Sequence, residues 1–180
     1  MDSSITLEQI LTFLLETPLF KDLAPDGLAE IVGIMQIQHL DAGQALFQQG
    51  DVGDAWYVVY SGGVEVFREV GVGRRNLVVQ LAPRACFGEM AVLDGSPRSG
   101  TVQAVKDSVL LRFPRGAFQS LLAGESLAAH QLVLAMARLL CARQRVLTGE
   151  VFGMLEDPRA DLGDIRTRMQ RLVDAYHVSE

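Results

Sequence analysis

The residues most able to do chemistry lie in one run, Phe87-Gly-Glu-Met-Ala-Val-Leu-Asp-Gly-Ser-Pro-Arg-Ser-Gly-Thr-Val102. Gly88 permits a tight backbone turn. Glu89 to Leu93 can then form one turn of helix whose first amides have no partner within it, and Arg98 follows the rigid Pro97 at the start of a strand. An arginine fork beside exposed helix amides suits a phosphate, and a carboxylate beside them suits a sugar hydroxyl. The competing reading of Glu89 and Arg98 is a structural ion pair at a loop.

Other chemistries find little support. His39, His130 and His177 fall in different segments without metal-ligand spacing, and no nucleophile elbow, P-loop or paired catalytic carboxylates occur, so neither a metal nor an enzymatic activity is expected. In Gly50-Asp-Val-Gly-Asp54 the two aspartates read as turn residues, since a calcium loop needs more oxygen ligands. Cys86 and Cys141 are isolated and read as buried free thiols in a reducing compartment.

The period of the apolar residues supplies the scaffold. Between Thr6 and Ile34 they recur at three and four, broken by Pro18 and Pro25, which predicts two short helices over 1–35. From Gln36 to Phe113 the period shortens to strands of five to eight residues between glycine and aspartate turns. Strands are expected at 36–40, 45–48, 55–60, 64–69, 76–81, 101–104 and 108–113, with no crossover helix between them. That pattern predicts an antiparallel β jelly roll over 36–124. A short helix over 115–122 and a long one over 125–148 follow. In a last segment over 149–180, Asp157-Pro158 reads as the N-cap and first position of a helix with an amphipathic stripe of Leu162, Ile165, Met169, Leu172, Val173 and Tyr176.

Hydrophobic residues make up 49% of the 180 and charged residues 21%, enough to bury a core. The net charge of −6 disfavours nucleic acid as a partner. The longest apolar run, Leu132 to Cys141, is interrupted by Arg138 and is short for a membrane span, so a soluble cytoplasmic protein is expected, with no membrane partner.

The order F-G-E-M-A-x-L-x-x-x-P-R-S from Phe87 to Ser99 resembles the phosphate-binding cassette of cyclic-nucleotide-binding domains, the family of the bacterial catabolite activators, kinase regulatory subunits and gated channels. Gln49-Gly50-Asp51 and the Tyr57 to Val66 spacing look like the same family's second to fourth strands, and the resemblance covers roughly Leu19 to Leu147. It implies a cassette over 87–99 in which Phe87 leads in, Glu89 accepts from the ribose 2′-hydroxyl and Arg98 pairs with the cyclic phosphate. The amides of Gly88, Met90 and Ala91 and the Ser99 hydroxyl complete the pocket. Serine after the arginine implies cyclic AMP ahead of cyclic GMP. The sequence departs from the pattern at Arg84, where a glycine is usual and a charge near the pocket mouth is expected, and at Gly100, where alanine is usual.

Met136-Ala-Arg-Leu-Leu140 is similar to part of the dimerising helix of the catabolite activators, which places Arg143 and Gln144 at a lid over the purine. The long helix has two seams, Leu132, Met136, Leu139 and Val146 on one side and Val133, Ala137, Leu140 and Leu147 on another. One can face the jelly roll and the other a second copy, so a homodimer is expected. About thirty residues follow Gly149, fewer than a winged helix-turn-helix needs. The expectation is a stand-alone cyclic-nucleotide sensor, signalling to an unidentified protein effector by rearranging its C-terminal helices. The alternatives are a ligand-free interaction scaffold or a transcription regulator.

Overall fold

The computed structural model of the protein describes residues 5–69 and 73–156. The expected amphipathic stripe of Leu162 to Tyr176 lies outside them.

The N-terminal helices form where the sequence caps them. Thr6 and Gln9 make a reciprocal capping box on α1 (Leu7–Leu15), Pro18–Phe20 form a 3₁₀ turn, and Pro25 opens α2 (Pro25–Gly33). Eight strands follow: β1 (Gln36–Leu40), β2 (Ala45–Phe47), β3 (Ala55–Ser61), β4 (Val64–Glu69), β5 (Arg75–Leu81), β6 (Cys86–Phe87), β7 (Thr101–Ala104) and β8 (Ser108–Pro114). They pair antiparallel into two four-stranded sheets, ordered β1-β8-β3-β6 and β2-β7-β4-β5. This is the jelly roll the periodicity calls for. The sequence reading lacked only the two-residue β6, too short to carry a period.

Strand β3 is buried on both faces and divides the core in two. Ala55, Tyr57 and Val59 point between the sheets, with Val64, Val79, Leu81, Val102 and Leu110. Trp56 and Val58 point the other way, into a second core made with α1, α2 and the C-terminal helices. Trp56 stacks on Phe113 of β8 with ring centroids 4.0 Å apart. Truncating such a buried aromatic costs about 3 to 5 kcal/mol.

After β8 come α4 (Arg115–Ala123) and α5 (Leu127–Glu156). Helix α5 starts two residues later than expected. Glu125 takes a left-handed backbone (φ 59°), and the Ser126 hydroxyl accepts from the Ala129 amide, so Ser126 is the cap. The helix also fails to stop at Gly149. Glycine costs only about 1 kcal/mol inside a helix and does not break one by itself, so the boundary expected at 148 to 149 is corrected to Glu156. Leu132 and Met136 are fully buried and Leu139 packs against the same core, as does Val133, which was assigned to the other seam. Leu134 and Leu147 are exposed. So is Cys141, against the expectation of a buried thiol, because it lies on the outward side of α5; Cys86 is buried. No single helix among the described residues is long and apolar enough to cross a membrane.

Candidate functional site

The cassette hangs from the sheet by β6, whose Phe87 pairs with Tyr57 of β3 and stacks on its ring at 5.3 Å. Gly88 then turns with φ 76°, the left-handed region open to glycine, and α3 (Glu89–Asp94) begins. A side chain at Gly88 would press on the Arg98 guanidinium. On its other flank α3 rests on Gly53: a Cβ there would collide with the Ala91 methyl group, so only glycine allows this approach.

Arg98 is tied down at the backbone first. Its amide donates to the Asp51 carbonyl at 2.8 Å, and its carbonyl accepts from the Gly50 amide at 2.9 Å. Its side chain is buried, with Nη1 donating to the Gly88 carbonyl at 3.1 Å and Nη2 to Asp54 Oδ1 at 3.1 Å. The guanidinium lies over the Phe47 ring, 4.1 Å from its centroid, and 5.7 Å from that of Tyr57. Nε is buried and meets no acceptor among the described residues. Burial pulls the Arg98 pKa down, against the charge of Asp54. A buried cation with a spare N–H is fitted to receive an anion, and a phosphate oxygen matches that fork.

Glu89 is 2% exposed. Its carboxylate accepts from Arg143 Nη1 of α5 at 2.7 Å, and Arg143 Nη2 reaches the Cys86 carbonyl at 2.9 Å. Burial raises the Glu89 pKa, and the Arg143 charge opposes that rise. The same burial, with the Glu89 charge, pushes the Cys86 thiol well up. Glu89 and Arg98 therefore form no ion pair with each other. Each holds a different partner, although the Arg98 charge is felt at Glu89.

The expected site residues separate into groups. Phe87, Gly88, Glu89, Ala91 and Arg98 come together as expected, Phe87 as the buried shelf beneath the turn. Met90 is about half exposed, and the Ser99 side chain is also exposed. Arg143 and Gln144 hold different partners. The Arg143 guanidinium is held against Glu89 and Cys86, and Gln144 is exposed and bonds Thr148 one turn further along α5. The guanidinium of Arg84 points away from the cassette to Glu16 and the Phe13 ring of α1, because its left-handed backbone (φ 75°) aims it at that helix. Sequence reasoning missed Asp54 and Arg112. The available signal was an arginine inside the apolar strand 108–113. No group of three or more metal-ligating side chains occurs among the described residues.

Comparison with known proteins bears on the fold and the family. The family model described as cyclic nucleotide-binding domain matches residues 37–125. The cyclic AMP receptor protein of Thermus thermophilus is 37% identical over 122 residues, 68% of this chain and 56% of that protein. The N-terminal domain of a transcriptional regulator from Streptomyces coelicolor A3(2) superposes with a TM-score of 0.63 at 34% identity, covering 71% of this chain and 91% of the other. A cyclic nucleotide-binding domain from Methylobacillus flagellatus KT has a TM-score of 0.72 at 22% identity, covering 86% and 88%, and bears on the fold alone. The chain spans a little over half the length of the curated receptor and regulator proteins it matches.

Proposed function

The chain belongs to the cyclic nucleotide-binding domain family, and from that premise we propose that it is a sensor of a purine 3′,5′-cyclic monophosphate, cyclic AMP ahead of cyclic GMP. In this reading Arg98 takes the cyclic phosphate, with the amides of α3 around it, and Glu89 accepts from the ribose 2′-hydroxyl. The observation that carries it is the pair of buried opposite charges flanking Gly88, neither neutralising the other. A fold that kept no ligand would gain little from a buried arginine with an unpartnered Nε.

The output is proposed to leave through α5. A ribose hydroxyl arriving at Glu89 must share the carboxylate with Arg143, so ligand and helix contend for one acceptor. A ligand shifts an equilibrium only through such differential contacts. The exposed Leu134, on the side of α5 away from the core, suits a second copy packed along that helix, and a protein effector in the cytoplasm would read the helix position. Serving as a sensor, the domain needs no catalytic group and no metal.

Isothermal calorimetry of the purified protein with cyclic AMP, cyclic GMP and cyclic di-GMP tests the reading. Cyclic AMP is expected to bind most tightly, and absence of heat with all three would overturn the sensor in favour of an interaction scaffold.

A further inference from the structure

We infer that the open groove along α1 is a docking site for a partner protein, and that its occupant is an extended basic segment carrying two arginines four residues apart. The inference stands apart from the cyclic-nucleotide site and needs no ligand there.

Helical spacing shapes the groove. Glu8, Thr12 and Glu16 recur at every fourth residue and so share one side of α1, with Gln9 and Phe13 beside them, and Tyr60 of β3 completes the lining. The space holds about 340 Å³ and is open to solvent. Phe13 and Tyr60 give it an aromatic wall, their ring centroids 4.8 Å apart and their planes inclined by 54°. Rings beside carboxylates are matched to a planar cation, which stacks on the one and donates its fork to the other.

One arginine of the chain already sits in this way. The Arg84 guanidinium lies over the Phe13 ring, 5.4 Å from its centroid, and pairs with the Glu16 carboxylate. Its backbone is anchored elsewhere, the amide donating to the Val59 carbonyl of β3 at 2.9 Å. The two side chains are 46% and 57% exposed, and an ion pair so wet is weak enough to give way to a second arginine. Arg84 thus marks the chemistry the groove takes while remaining exchangeable.

Glu8, at the other end of α1, makes no ion pair with any of the described residues. Eight residues of helix place it about 12 Å from Glu16 along the axis, at about 1.5 Å per residue. Two carboxylates so far apart cannot share a metal ion, whose oxygen ligands lie within about 2.6 Å, and together they repel phosphates and acidic peptides. Four residues of extended chain at about 3.3 Å each cover the same span. A segment with arginines at its first and fifth positions therefore reaches both carboxylates at once, one arginine beside Glu8 and the other exchanging with Arg84 on Glu16.

The probe is a five-residue peptide with arginine at both ends and glycine between, titrated into the unmodified protein and followed by NMR of the aromatic side chains. Its control carries citrulline, the uncharged analogue of arginine, at both ends. The Phe13 and Tyr60 ring signals should move with the arginine peptide and stay put with the control; rings that ignore both peptides, or answer both equally, overturn the inference. Glu8→Gln should weaken binding about threefold, and Arg84→Ala, which removes the competitor within the chain, should tighten it by up to about fivefold, the worth of an exposed ion pair. Arg75→Ala takes the same charge from β5 in the other sheet and should change nothing. Equal tightening by both arginine variants would mean attraction by net charge alone and overturns the groove, as does binding indifferent to Glu8→Gln. A peptide with its two arginines adjacent that binds as tightly as the spaced one overturns the two-ended seat. Should Arg84→Ala loosen α1, the ring signals of the unmodified protein and the Glu8→Gln comparison decide, since both read a protein that keeps the Arg84 contact.

Discussion

Arg143 of α5 holds the Glu89 carboxylate at 2.7 Å, joining the most buried acid of the cassette to the fifth turn of a helix that begins at Leu127. The two side chains are 9% and 3% exposed, so the pair is largely out of water. Removing one member of such a pair costs about 3 to 5 kcal/mol, because the other is left as an uncompensated buried charge. Arg143→Ala should therefore lower the unfolding temperature clearly and raise amide exchange along the half of α5 beyond Leu139. Exchange that matches the unmodified protein there would show that the helix is not held by this contact.

Arg98 and Arg84 make a matched pair for testing the ligand site. Losing the Arg98 fork should weaken cyclic AMP by at least about a hundredfold, the loss expected when a buried charged contact is broken. Arg84→Ala breaks contacts with Glu16 and Phe13 on α1 and should leave affinity nearly unchanged while loosening that helix. Calorimetry on both variants checks the assignment, and equal affinities would move the phosphate elsewhere.

The jelly roll and the cassette were legible in the sequence because each is local. A strand shows as a period of two, and Gly88, Glu89 and Arg98 sit within a few residues of one turn. What stayed hidden was set by partners distant in the chain. The fate of Arg143 depends on Glu89, more than fifty residues earlier, and helical spacing could place it near the pocket but not tell a lid from a wall. Asp54 looked like its neighbour Asp51 because both sit in a glycine turn; only the pairing of β8 beside β3 puts Arg112 within its reach. Arg84 was expected at the pocket mouth, and its left-handed backbone turns it the other way.

The outward side of α5 predicts association. Leu134 is an exposed apolar side chain on the side of α5 turned away from Leu132 and Met136, which face the core. If two copies pack there, Leu134→Glu should bury a charge at the seam and yield a monomer. Sedimentation of the unmodified protein at micromolar concentration is expected to give a dimer, and a monomer would remove the interface.

Acid should expose the Asp54 contacts. Burial raises its pKa, but the hydrogen bond and charge of Arg112, with the charge of Arg98, outweigh burial and hold it below the ordinary 3.8. A depressed carboxylate stabilises the fold above its unfolded pKa, and the contribution is lost as pH falls through the folded value. The difference in melting temperature between the unmodified protein and Asp54→Asn should thus be full near neutrality and close as the pH drops below 3.8. Glu89 runs the other way: burial raises its pKa from 4.5 despite Arg143, so its burial costs stability as pH rises through the folded value. A gap that is constant with pH would mean that Asp54 gains nothing from its two arginines.

The uninterrupted run of α5 through Gly149 gives the Arg143 contact mechanical leverage. Glu156 lies beyond Arg143 by about 20 Å of helix at about 1.5 Å per residue. A tilt of about 10° pivoting on the Glu89 carboxylate sweeps the far end through about 3 to 4 Å over that arm, more than the roughly 1 to 2 Å helix shifts that accompany switching at interfaces. A displacement too small to matter inside the cassette becomes, at Glu156, a movement that another surface can register.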